Sequence, residues 1–107
     1  MNEHRCNRHY ADVFDVLSVF ADPKRRRPRR GTEGVIGRAQ HHFDLVGETD
    51  ALEMLDAATI AVFQLRHALW SGDEYEQQEQ VKALGQLSRT WLREAPVLAF
   101  QMAHAHA

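Results

Sequence analysis

Seven histidines, one cysteine and a seven-residue stretch holding six cations are the parts of this chain with chemistry to offer. Cys6 and His9 have the spacing of a metal-ligand pair, and His41-His42 or His104-x-His106 could complete a set of four. Metal knuckles bring two close cysteines, however, and no Glu-x-x-His or His-Glu-x-x-His pattern is present to build a di-iron or hydrolytic zinc centre. The reading adopted is no metal and no cofactor. His4, His9, His104 and His106 are placed on frayed ends, whereas His67 shares a stripe with Ile60, Phe63 and Trp70 and is predicted to be a partly buried, hydrogen-bonded histidine. Nucleophilic catalysis finds no Gly-x-Ser-x-Gly elbow, and Cys6 has no fixed base beside it. The stretch Gly31 to Gly37 lacks the preceding strand and the lysine of a phosphate cradle. Glu53 and Asp56 lie one turn apart near a helix start, where their ordinary role is to complement the dipole. No catalytic site is predicted, and the chain reads as a non-enzyme.

The cationic stretch is Lys24-Arg25-Arg26-Arg27-Pro28-Arg29-Arg30, with Arg38 nearby, enough for several phosphate contacts whose strength would fall steeply with salt. Its rivals are a solvated linker over 22–34 or an arm docked on the chain itself. Residues 1–38 carry nine Lys/Arg against five Asp/Glu, or +4, while residues 39–107 carry four against ten, or −6. Halves of opposite sign attract, although exposed pairs contribute only about 0 to 1 kcal/mol each. Over Val16 to Arg27, Ala21-Asp22-Pro23-Lys24-Arg25-Arg26-Arg27 resembles the first helix of arsenic-repressor-type winged-helix regulators. The resemblance ends there, because Pro28, Arg29, Arg30 and Gly31 follow where the family continues with an apolar helix. Val81 to Glu94 also fails as a helix-turn-helix around Gly85, since Gln86 falls where an apolar residue is wanted.

The elements that must position these residues are all helical. A chain of 107 residues with 44% hydrophobic and 26% charged residues suits one domain with a modest core. Tyr10, Val13, Phe14, Leu17 and Phe20 keep helical spacing and predict a helix over 10–21, ended by Asp22-Pro23. Ile36, Ala39, Phe43 and Val46 predict another over 35–46. Asp50 with Glu53 has the form of a capping box, so a long helix is expected over 50–71, apolar on every side around Ala57 to Phe63. Ser71-Gly72-Asp73 then stops and restarts the chain, giving an antiparallel second arm over 73–94 with a seam of Val81, Leu84, Leu87 or Ser88, and Trp91. A last short helix is expected over 96–105, after Pro96. The predicted fold is therefore an all-α bundle built on a helical hairpin, residues 1–107 forming one domain with a basic linker or arm.

No apolar run approaches the roughly 20 residues of a bilayer helix, and the polar opening lacks the apolar stretch of a secretory signal, so a cytoplasmic protein with no membrane partner is expected. The all-round apolar helix predicts surface left over for a homodimer or a protein partner, with Leu55, Ala58, Val62, Leu65, Leu69, Trp70 and Trp91 as its interface. The acidic residues Glu74, Glu76 and Glu79 are a candidate patch for a basic partner. The leading expectation is a small regulator or inhibitor, of the kind carried by phages and plasmids, that acts by binding another protein. The alternative is nucleic-acid binding through Lys24, Arg25, Arg26, Arg27, Arg29 and Arg30.

Overall fold

The computed structural model describes residues 2–94, with side chains from residue 8 onward. It is all-α, with no strand among the described residues, and its four helices are α1 (Asn2–Leu17), α2 (Thr32–Val46), α3 (Thr49–Ser71) and α4 (Glu74–Glu94), with a 3-10 turn at Ser18–Ala21. Each helix packs along two neighbours, α1 on α2 and α4, α3 on α2 and α4, which closes a four-helix bundle. None of the described helices is long and apolar enough to cross a membrane. The helix expected over 96–105 lies outside the described residues.

The first helix starts well before the predicted residue 10; of the predicted face Val13, Leu17 and, in the 3-10 turn, Phe20 are buried, Tyr10 and Phe14 are half-buried, and Val16 joins them in the core. It tightens into the 3-10 turn and stops at Asp22, whose extended backbone (ψ 113°) is what the following proline demands. The next ten residues do not form the free basic linker expected over 22–34. Asp22 accepts from the Lys24 amide through Oδ1 (2.9 Å) and from the Arg25 amide through its carbonyl (3.0 Å), an Asx-type turn. Arg29 Nη1 donates to Asp15 Oδ2 of α1 (2.8 Å), and Pro28 is buried. Buried Thr32 donates from its hydroxyl to the Arg29 carbonyl (2.6 Å), so α2 begins at Thr32 rather than 35. The arm docks on α1 through Arg29, in the basic half of the chain, while Pro23 and Arg26 line a cleft with α4, in the acidic half.

Gly47 and Gly72 terminate α2 and α3 in the left-handed region, at φ 74° and 77°. In both turns the amide of the next residue reaches back to the helix, Glu48 to the Phe43 carbonyl (2.9 Å) and Asp73 to the Ala68 carbonyl (3.0 Å). The two capping patterns fare differently. Asp73 caps α4 as predicted, its Oδ1 accepting from the Glu76 amide (3.0 Å). Asp50 does not cap α3: the helix begins at Thr49 with Glu48 as its N-cap, which makes no side-chain capping bond, and Asp50 falls inside the first turn.

The core gathers Ile36, Ala39 and Phe43 from α2, Ala51, Leu55, Ala58, Ala61, Val62 and Leu65 from α3, and Val81, Leu84 and Trp91 from α4, against the α1 face. Of the two choices for the α4 seam, Ser88 is buried and Leu87 is half-buried. Trp91 is fully buried, its ring 5.1 Å from Tyr10 and 6.0 Å from Phe43, and its indole N–H donates to the Tyr10 carbonyl (3.0 Å). One turn of contact between α4 and the 3-10 turn depends on Gly85, where a Cβ would lie 2.8 Å from the Phe20 carbonyl oxygen.

Gly85→Ala should therefore destabilise the chain by about 1 to 3 kcal/mol, because backbone must shift to admit the methyl. Gly37, on the exposed side of α2 with nothing within 4 Å of an added Cβ, should behave oppositely, Gly37→Ala stabilising by about 0.5 to 1 kcal/mol. Chemical denaturation of the two variants tests both signs; equal effects would contradict the Phe20 contact.

Candidate functional site

The long helix α3 is two-sided, although its middle, Ala57 to Phe63, is apolar or nearly so all round. Leu55, Ala58, Val62 and Leu65, predicted to form a partner interface, are fully buried within the chain, as is Trp91, and Leu69 is half-buried. The α3 residues are turned toward the core, where α3 packs on α2 and α4, and Trp91 lies against Tyr10 and Phe43, so they hold the bundle together and are not presented to a partner. Of the predicted interface only Trp70 faces outward, 84% exposed. With it on the outer face stand Ile60 (58% exposed) and Phe63 (74%). His67 belongs to this stripe but is exposed rather than partly buried, its ring stacked 6.1 Å from that of Trp70.

Thr59 and Arg66, which keep helical spacing with Leu55, Val62 and Leu69 along α3, have partners on α2 that sequence reasoning missed. Arg66 donates through Nε and Nη2 to the two carboxylate oxygens of Glu33, the second contact at 2.8 Å. This bidentate pair holds the Glu33 carboxyl below its ordinary range, chiefly through the hydrogen bonds from Arg66, and raises the guanidinium in turn. Gln40 Nε2 donates to Asp56 Oδ1 (2.9 Å) and to Thr59 Oγ1 (3.3 Å). The available signal was a Thr and an Arg inside an otherwise apolar stripe. Their pairing leaves the exposed positions of α3 from 57 to 71, including Ala57, Ile60, Phe63, Gln64, His67 and Trp70, without an uncompensated permanent charge.

A second candidate is the cleft between α1 and α2, about 860 Å³ in volume and lined by Arg8, His9, Asp12, Arg38, His41 and His42 among others. His9 is half-buried inside α1, not on a frayed end, and stacks on His42 with ring centres 4.5 Å apart. Burial first, then the neighbouring His42, hold its imidazole below the ordinary value of 6.5, with Asp12 opposing. Among the described residues no three His, Cys, Asp or Glu side chains come together as metal ligands. The Cys6 side chain, His104 and His106 lie outside the described residues.

The cations of the basic stretch are divided by the fold. Arg29 is paired with Asp15, and Arg26 is half-buried. Lys24, Arg25, Arg27 and Arg30 are exposed, and none of them forms an ion pair among the described residues, Arg25 donating to the Arg27 carbonyl (3.1 Å). In the acidic patch Glu74 and Glu79 are exposed, whereas Glu76 is half-buried and accepts from Gln80 Nε2 (2.7 Å). Glu74 and Glu76 sit in the first turn of α4, where they complement the helix dipole. Comparison of the chain with protein-family models, with curated proteins and with solved structures gives no match.

The lowered His9 value has a defined consequence for acid stability. The unfolded chain takes up this proton more readily than the folded one, so the His9 contribution is complete above 6.5 and is lost as pH falls from there through the lower folded value. Thermal melts on either side of that window should show a smaller acid-induced loss in His9→Gln than in the parent chain. Identical losses in the two proteins would remove His9 from the account.

Proposed function

We propose that this chain is a non-enzymatic protein-binding module that works through the outer face of α3, and that the occupant of that face is a second copy of the chain. The observation that carries this reading is the exposed stripe of Ile60, Phe63 and Trp70 along a helix whose opposite face is spent on the core. Large apolar side chains exposed together on one face raise the free energy of the isolated molecule, and a contact that covers them lowers it. A two-fold contact places the same patch on both sides, so charge on that patch would repel its own image. The α3 face between 57 and 71 has its one permanent charge, Arg66, neutralised by Glu33, and is compatible with its own copy. Light scattering behind size exclusion should give twice the 12.3 kDa chain mass for the parent. Phe63→Ser combined with Trp70→Ser should give a monomer of unchanged helicity. A monomeric parent, or a dimer that survives both changes, would overturn the reading.

A second reading is favoured by the four exposed cations Lys24, Arg25, Arg27 and Arg30, which stand on one ordered connection without ion pairs among the described residues. They support contact with nucleic-acid phosphates. Changing Arg25, Arg27 and Arg30 together to Ala should abolish a gel shift with duplex DNA and flatten its dependence on salt. A shift that persists unchanged would sink this alternative.

A further inference from the structure

Arg26 departs from the other cations of its run, because its Nη1 is buried and meets no acceptor. A guanidinium cannot shed its proton to escape that situation. Folded proteins leave few buried donors unsatisfied, and those that remain call for an explanation such as a bound ion or water. The side chain lines a cleft of about 430 Å³ between the end of the 3-10 turn and α4, a size suited to a small organic molecule. From α4 come Gln78, Lys82 and Arg89, at spacings of four and seven residues that place them along one side of the helix. Phe20 and Val81, both buried, supply apolar wall, and no Asp or Glu lines the cleft.

Three cations around one cleft repel one another, and each lacks a carboxylate there to offset it. An anion seated among them removes that repulsion and offers the Arg26 guanidinium an acceptor toward which its unpartnered Nη1, now without exposed surface, can turn. Charge-assisted bonds from guanidinium to phosphate oxygens are among the strongest available to a side chain. A dianionic phosphate answers three positive charges better than a monoanionic carboxylate does. The apolar wall favours a ligand with a carbon body over inorganic phosphate. We propose that this cleft is a binding site for a small organic phosphomonoester, its phosphate held by Arg26, Lys82 and Arg89 and its body against Phe20 and Val81. The site is separate from the α3 face and independent of whether that face dimerises.

Calorimetric titration of the full chain with phenyl phosphate, with inorganic phosphate and benzoate as parallel arms, tests the proposal. Phenyl phosphate should bind saturably at one site per chain, about tenfold or more tighter than either control. Arg26→Gln should weaken it by about tenfold or more. Because Arg26 is half-buried and its loss could disturb folding, Lys82→Gln and Arg89→Gln, both exposed on α4, provide the second test and should weaken binding while leaving helicity intact. Arg93→Gln, exposed on α4 but outside the cleft, should leave the affinity unchanged. No saturable binding of phenyl phosphate would overturn the proposal, as would an affinity indifferent to Lys82→Gln and Arg89→Gln. Inorganic phosphate binding as tightly as phenyl phosphate would remove the apolar subsite. Duplex DNA binding that needs the same three cations while phenyl phosphate fails to bind would assign the cleft to nucleic acid and refute the small-molecule form.

Discussion

The bundle depends on the way Trp91 joins three helices. Its ring lies against Tyr10 of α1 and Phe43 of α2, and its indole N–H is satisfied by the Tyr10 carbonyl. A buried indole without an acceptor would cost about 1 to 3 kcal/mol, so the backbone of α1 and the last turns of α4 are held in one register. That register also seats the 3-10 turn on Gly85, where the Phe20 carbonyl approaches too closely for any side chain. The order of the connection after Ala21 follows from it. Arg29, Pro28 and Thr32 find their partners in Asp15, the core and the Arg29 carbonyl because the end of α1 is already placed.

The surfaces of α3 show how a short chain divides one helix between stability and recognition. A bundle of four helices this small encloses only one side of each, so an α3 whose middle is apolar around its circumference must leave apolar residues outside. Thr59 and Arg66 are the exceptions inside the stripes, and both are matched across the α2 boundary by Gln40 and Glu33. The outer stripe of Ile60, Phe63, His67 and Trp70 has no such matching on the chain itself. It is this contrast, polar residues paired within the bundle and apolar ones left outside it, that gives α3 its candidate role.

The basic stretch illustrates the same division on a smaller scale. Six cations in seven residues look uniform in one dimension, yet the turn at Asp22-Pro23 and the docking of Pro28 send them to different surroundings. One pairs with α1, one turns toward α4, and four stay in solvent. Lys82 and Arg89, far away along the chain and unremarked as neighbours of the run, are brought to Arg26 by the α4 contact with the 3-10 turn.

Helical periodicity, glycine and proline punctuation and the Asp73 cap were enough to determine an all-α chain and its four described helices, since these signals act over a few residues and need no knowledge of neighbours. The early start of α1 was not legible, because a polar segment carries no stripe to announce a helix. Which face of α3 is buried was decided by the tertiary structure alone: an all-round apolar helix has no moment to orient it, and only packing against α2 and α4 selects a side. The candidate sites share that origin. Trp70 was readable as apolar but Leu55, Ala58, Val62, Leu65 and Trp91 were readable equally as core or interface, since hydrophobicity is the same requirement in both. The cleft around Arg26 joins residues more than fifty positions apart, and no local spacing rule reaches across that distance.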